Sequence, residues 1–343
     1  RWEADLFGRL SRADAAAATS VQATEADREG VALAVVSSVV QAWIDGRTAL
    51  ARLQVAQAAL QTQREALRLV EARQQAGRGT ALDTERARAL VAGTEASVPA
   101  LRQQVSAARL RLATLTGRQA ESAQTLPDLA LMSTSASPSS WLPRVVDIDL
   151  AAAGAPELLL QRRPDLRAAE LRARAAGLDV EVAQRAAWPR LTLTGLLGLD
   201  GPRLADLGGA GTRVAGLGAR LVWSGLDAGR AQAQVDAAAA RRDVALVAWR
   251  AAVLGALEEA ELALRAAASA REQLASLEAA EQAATRAAAL ARARFEAGVS
   301  DFLSVLDAER ERLAASDRAA AARGAGAAAI VGVFRAWGGG VPG

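Results

Sequence analysis

The chain of 343 residues carries 41 basic and 38 acidic side chains and no His, Cys or Tyr, and every basic residue is arginine. Without His, Cys or Lys there is no Ser–His triad, thiol nucleophile, ordinary zinc site, Walker P-loop or Schiff base, so neither an enzyme nor a cofactor or metal site is expected. Arg, Asp and Glu are interspersed for a net charge of +3, so the pI of 10.7 reflects arginine's high pKa rather than a basic stripe, and no nucleic-acid partner is expected.

Ala makes up about a quarter of the residues, far above ordinary usage. No stretch reaches the roughly 18 to 20 apolar residues of a spanning helix, so an α-helical membrane protein is not expected. Strands of a β-barrel, short and weakly signalled, stay open. Residues 10–76 lack Pro and contain only Gly30 and Gly46, which predicts a helix of roughly 100 Å. Apolar residues recur at heptad spacing, with Val39, Leu53, Leu60 and Leu67 on one line and Val36, Trp43 and Leu50 beside it. Gly46, Gln57 and Arg64 interrupt the seam. Gly77-Arg78-Gly79 separates this helix from a second over 82–116, interrupted by Pro99. The two form an antiparallel hairpin with its tip near 77–80, Thr80 serving as N-cap and Asp83 completing an approximate capping box.

Residues 123–156 are an irregular connector, with Pro127, Pro138, Pro143, Pro156 and a Ser/Thr cluster. Asp147 and Asp149 lie there without a partner motif and are read as loop residues. Helices are expected over 157–187, with Pro164 in a first turn and Asp165 favouring its positive end. Strands are expected at 190–199 and 213–223. Leu191 and Leu193 alternate with Thr192 and Thr194, and Leu217, Ala219, Leu221 and Trp223 alternate with Gly216 and Gly218. Each is about ten residues, enough for a tilted transmembrane strand. Pattern alone leaves a soluble hairpin packed on a helix as the plainer alternative. A second helical hairpin is expected over 227–336, with its tip near 298–301 and Asp301 as cap.

A two-fold repeat holds these elements together. Trp2 and Trp223, Gly8-Arg9 and Gly229-Arg230, Arg73 and Arg294, Gly77 and Gly298, and Leu82 and Leu303 all differ by 221 positions. The division is therefore 1–122 as first repeat, 123–156 as connector and 157–343 as second repeat. The first copy has no counterpart of the lead-in before Trp223. The expectation is that a matching segment with its strand is absent from this chain, which would then not insert normally by itself.

At this point the motifs become specific. Arg1-Trp2-Glu3-Ala4-Asp5-Leu6-Phe7-Gly8-Arg9 resembles the strand-to-helix junction of TolC-like outer-membrane efflux proteins, in particular their NodT/OprM-like lipoprotein branch. Leu158-Leu159-Leu160-Gln161-Arg162-Arg163-Pro164-Asp165 is similar to that branch's Leu-rich Arg-Arg-Pro-Asp motif. Trp188-Pro189-Arg190-Leu191 is similar to its aromatic-Pro approach to a strand. Phe295-Glu296-Ala297-Gly298 and Leu303-Ser304-Val305-Leu306-Asp307-Ala308 resemble its second hairpin tip, and Ala336-Trp337-Gly338-Gly339-Gly340 its C-terminal glycine run.

The resemblance implies a mainly α fold of long antiparallel hairpins forming an α-barrel tunnel, plus strands of a β-barrel shared by a homotrimer. It implies an outer-membrane channel in a Gram-negative bacterium, reaching into the periplasm and exporting small molecules passively. The partners implied are a periplasmic adaptor, an inner-membrane pump of the resistance–nodulation–division type, and outer-membrane lipid. By the same resemblance Asp307, Ser304, Ser300 and Phe295 would border a periplasmic aperture. Gly77, Arg78, Gly79, Thr80, Gly298, Val299 and Asp301 would meet the adaptor. Thr192 and Thr194 would face the barrel lumen if Leu191 and Leu193 face lipid. Trp188 and Trp223 suit an aromatic girdle or simple packing. Phe295 lacks the hydroxyl, and Ser300 the guanidinium, that some members carry at these tip positions. A type I secretion channel and a soluble coiled-coil scaffold are the alternatives.

Overall fold

The computed structural model describes residues 1–119, 162–199, 213–223 and 227–339. The expected connector over 123–156, with Asp147 and Asp149, lies outside them. The described elements are β1 (Trp2–Ala4), α1 (Arg9–Gln75), α2 (Ala81–Leu115), α3 (Pro164–Arg185), β2 (Arg190–Leu199), β3 (Arg213–Val222), α4 (Ala228–Glu296) and α5 (Phe302–Ala336). Two compact units emerge: Arg1–Gly30 with Pro156–Leu257, and Val31–Ala155 with Glu258–Gly343. The division falls inside α1 and α4, so each unit draws on both halves of the sequence repeat.

The repeat persists in the element bounds. α1 ends at Gln75 and α4 at Glu296, 221 positions later; α2 and α5 both contain 35 residues and begin and end with the same offset. The helix starts differ. Asp227 accepts a hydrogen bond from Arg230 N at 3.2 Å, close to the start of α4. Asp5 instead reaches forward to the amides of Leu10 and Ser11, at 3.0 and 2.8 Å, and caps α1 from beyond a turn.

In the first unit, β1, β2 and β3 form an antiparallel sheet in that order. The first turns of α1 run antiparallel to α3. Arg12 pairs with Glu181 at 3.1 Å and Arg167 with Glu29 at 2.7 Å, while Arg172 pairs with Asp27. Pro164 opens α3 at its first turn. Arg163 grips Asp165 through two hydrogen bonds of 2.7 and 3.1 Å. Burial raises the Asp165 carboxyl, but the guanidinium and the helix-start amides lower it further, leaving it below the usual range. The Arg-Arg-Pro-Asp motif therefore starts a helix, as its proline indicates.

In the second unit, α1 and α2 pack antiparallel. Ala42 meets Leu112 and Ala113, and Leu53 and Ala56 meet Val98 and Leu101. Along the predicted heptad lines, Val39, Trp43 and Leu50 pack against this core, whereas Val36 is exposed. α4 and α5 are joined by arginine–carboxylate pairs: Arg292 with Glu309 at 3.0 Å, Arg323 with Glu278 and Glu281 at 3.0 and 2.7 Å, and Arg335 with Glu259 at 3.0 Å. Arg52 of α1 holds Asp317 of α5 bidentately at 2.7 and 2.9 Å. Small residues set the spacing: a Cβ added to Gly324 would stand 2.0 Å from Thr48 Oγ1 and 2.9 Å from Thr48 Cβ.

Two expectations are corrected. Pro99 does not interrupt α2, which continues through it. A proline inside a helix costs about 3 kcal/mol, and here the buried neighbours Val98, Leu101 and Val105 supply packing that offsets it. Among the described residues one helix, α5, is also long and apolar enough by composition to cross a membrane, with mean hydropathy 1.2 over an 18-residue window. That hydropathy comes largely from Ala and Val, and 44% of the window is buried within the protein.

Because Thr48 Cβ cannot rotate out of the way, Gly324→Ala is expected to destabilise the protein by about 1–3 kcal/mol. Thermal unfolding followed by circular dichroism measures this, and Thr48→Gly in the same chain should restore most of the loss.

Candidate functional site: a two-faced sheet and paired hairpin tips

The register sorts the sheet into two faces. Residues paired across antiparallel strands share a face. One face carries Trp2, Ala4, Leu191, Leu193, Leu197, Ala215, Leu217, Ala219 and Leu221; its single charge is Arg213, at the first position of β3. The other face carries Glu3, Arg190, Thr192, Thr194 and Arg220, with Gly216, Gly218, Val222 opposite Arg190 and, towards the far end, Leu196 and Val214. Much of the apolar face is open: Leu197 is 92% exposed, Leu217 88% and Leu221 66%, while Ala4, Leu191 and Leu193 are half-buried. Thr194 is exposed, and Thr192 is buried between its register neighbours Glu3 and Arg220. Trp223 follows β3 and stays largely exposed.

The junction motif explains itself residue by residue. Glu3 receives Arg9 at 2.8 Å. Asp5 caps α1, and the amides of Ser11 and Leu10 hold its carboxyl below the usual range. Phe7 stacks on Trp188 with ring centroids 5.2 Å apart, and Trp188 stays 55% exposed. Gly8 takes φ +72°, a conformation that favours glycine, and its carbonyl accepts from Arg185 Nη1 at 2.9 Å. The chain thereby turns from strand to helix in four residues.

The two tips are built alike. Gly77 and Gly298 lie at φ +71° and +74°. Gly77 N donates to Gln74 O and Arg78 N to Arg73 O; Gly298 N donates to Phe295 O and Val299 N to Arg294 O. Both are Schellman caps. The following N-caps exchange chemistry. In the first tip Thr80 accepts from Asp83 N, and its hydroxyl donates to the Asp83 carboxylate at 2.6 Å. In the second, Asp301 accepts from Ser304 N, and the Ser304 hydroxyl donates to Asp301 at 2.6 Å. The hydroxyl and the carboxylate have traded places, 221 positions on.

Not all of the expected site residues share an environment. Gly77, Arg78, Thr80, Gly298, Val299 and Asp301 are exposed at the tips, and Gly79 is half-buried. Asp307 and Ser304 are exposed on α5. Phe295 is buried in a cluster with Val70, Ala87, Phe302, Val305 and Leu306, its ring 5.3 Å from that of Phe302. Ser300 is half-buried, its Oγ enclosed without a hydrogen-bond partner among the described residues. Two participants escaped the sequence reading. Arg73 lies over the Phe295 ring at 4.1 Å, a cation–π contact joining the two hairpins. Glu309, buried in α5, bridges Arg292 and Arg312 at 3.0 and 2.9 Å. The first had a faint signal, since Arg73 and Arg294 are repeat counterparts; the second had none.

Hydrogen bonds from the Ser304 hydroxyl and amide lower the Asp301 carboxyl in the folded state. Its contribution is therefore present above about pH 4 and is lost as pH falls through the depressed value. Asp301→Ala should lower the melting temperature at pH 7, and melts at successively lower pH should bring variant and parent together. Thr80→Ala removes a neutral cap and should cost about 1 kcal/mol.

Comparison with known proteins accords with this geometry. The family described as "Outer membrane efflux protein" matches residues 1–118 and 155–339. The pyoverdine export outer membrane protein OpmQ of Pseudomonas aeruginosa is 33% identical over 339 residues, covering 99% of this chain and 68% of that protein. The outer membrane protein OprJ of the same species is 33% identical over 343 residues, with 99% and 68% covered. Among solved structures, the outer-membrane channel OprN superposes with a TM-score of 0.82 at 35% identity, covering 99% of this chain and 74% of that one. The open-state MtrE channel of Neisseria gonorrhoeae gives 0.82 at 27% identity, with 98% and 73% covered. The sheet, the junction motif and the paired tips thus belong to a fold already seen in outer-membrane channels, and the chain is a member of the outer membrane efflux protein family.

Proposed function

We propose that this chain is one subunit of a homotrimeric outer-membrane channel, a passive conduit through which an efflux pump discharges small molecules without chemical change. The observation that carries the reading is the sheet. Its apolar face is open at Leu197, Leu217 and Leu221 and half-buried at Leu191 and Leu193, while the opposite face gathers Glu3, Arg190, Thr192, Thr194 and Arg220 near the helices, with Val222 the one large apolar residue among them. Water would penalise the first face; a lipid bilayer rewards it. The sheet is also open, with β1 and β3 at its edges. An open edge is not tolerated in hydrocarbon, so strands from outside this chain's described sheet must complete it, and further copies are the economical source.

Helix surfaces agree. Val244, Val247 and Leu254 of α4, like Val31 and Val35 of α1, are exposed large apolar residues at helical spacing, suited to neighbouring helices in an assembly. The relatives' names as outer-membrane components of export and efflux systems support a pump partner. The finer assignment is a periplasmic adaptor meeting the tips at Gly77, Arg78, Gly79, Thr80, Gly298, Val299 and Asp301, and an inner-membrane pump of the resistance–nodulation–division type. Asp307, Ser304 and Ser300 border the aperture, and Phe295 supports it from within the tip cluster. Three Asp307 carboxylates near a symmetry axis would repel one another and attract cations.

The full gene product, extracted from outer membrane, should run in detergent with the native mass of a trimer. A dimer or a detergent-independent soluble protein would overturn the reading. Leu217→Arg should cost about 2–4 kcal/mol in lipid and abolish outer-membrane insertion, measured by membrane fractionation, whereas Thr194→Arg on the opposite face should be tolerated.

A further inference from the structure

The polar face of the sheet carries an uncompensated positive charge. Arg190 opens β2 opposite Val222, and Arg220 of β3 stands opposite Thr192. The two arginines are therefore diagonal neighbours on one face, their Cα atoms about 7–8 Å apart by strand geometry. Both are exposed, and neither has an ion-pair partner among the described residues. The one acid on this face, Glu3, stands beside Thr192 in the register, and its carboxylate is taken by Arg9 at 2.8 Å. Asp5, the next acid along the chain, is committed to the amides of Leu10 and Ser11. The hydroxyls of Thr192 and Thr194 share the face.

We infer that Arg190 and Arg220 make the strand section of the conduit anion-preferring, so that small organic anions bearing carboxylate, phosphate or sulfonate groups are the solutes it favours. This rests on the channel reading above. Both arginines lie at the end of the strands where α3 leads in and α4 leads out, so solute would meet them where helices give way to strands. Guanidinium is charged at every physiological pH. Fixed charge on a narrow, low-dielectric wall raises the local concentration of counter-ions and repels co-ions. The planar guanidinium fork also matches bidentate oxyanion groups. Three copies around a pore would present six guanidinium groups at one level. The alternative placement, towards lipid, is excluded by the continuous apolar face on the other side of the same strands.

The test is ion selectivity of the full gene product in planar lipid bilayers across a potassium chloride gradient. The Arg190→Ser, Arg220→Ser double variant is compared with the parent and with the charge-keeping Arg190→Lys, Arg220→Lys variant. Asp307, whose charge favours cations, is the same in all three, so the comparison isolates the arginines. The chloride-to-potassium permeability ratio should fall about twofold or more in the serine variant and be retained in the lysine variant. The difference should shrink as salt rises from about 0.1 M to 1 M. A ratio unchanged in the serine variant, with trimer mass and conductance intact, overturns this inference and leaves the channel standing. Absence of any conductance in the parent overturns the channel reading and this inference with it.

Discussion

A backbone amide or carbonyl left unpaired in hydrocarbon costs several kcal/mol, and that one constraint organises the first unit. β2 and β3 satisfy each other over ten residues, and β1 adds three more pairs. What they leave is two edges and an apolar face. The edges are not tolerated in hydrocarbon, the apolar face is disfavoured in water, and neither is complete alone. The same strands place Thr, Arg and Glu on the opposite face because side chains alternate with period two. One pattern thus yields an apolar side and a polar side at once, the arrangement the proposed channel requires.

The helices meet a different limit. Alanine is a strong helix former with little apolar area to bury, so long Ala-rich helices are stable as helices but weakly specified as packing partners. The second unit compensates in two ways. Close approach, as where Gly324 meets Thr48, brings backbones together and raises dispersion contact. Arginine–carboxylate pairs spaced along α4 and α5 then set the register. An exposed pair is worth only about 0–1 kcal/mol, so the partly buried ones carry more weight, notably Glu309 between Arg292 and Arg312. Removing a single partner there would strand a buried charge.

At the tips, matching turns frame unequal interiors. Both turns rest on a left-handed glycine and a hydroxyl–carboxylate N-cap. Only the second tip sends phenylalanines, Phe295 and Phe302, into a shared core, where Arg73 from the other hairpin covers Phe295. The contact between hairpins is therefore apolar and cation–π at this point, in keeping with a position that has no hydroxyl to offer.

Much of this was legible in the residues. Proline-free alanine runs, glycines at fixed offset and period-two alternation report local backbone preference, so the long helices, both tips, the caps and the ten-residue strands could be read directly. The repeat added long-range order, because a constant 221-residue offset across two helices needs one architecture used twice. Tertiary structure alone decided the rest. Pro99 stays helical because its neighbours are buried, and Val36 leaves the heptad seam for the surface. The placing of Phe295 in the core beneath Arg73, the bridging role of Glu309, and the meeting of Arg190 with Arg220 across two strands depend on register and on partners 17 to some 220 residues away. Local propensity carries no information about such partners, since the free energy that selects them arises only when the surfaces meet.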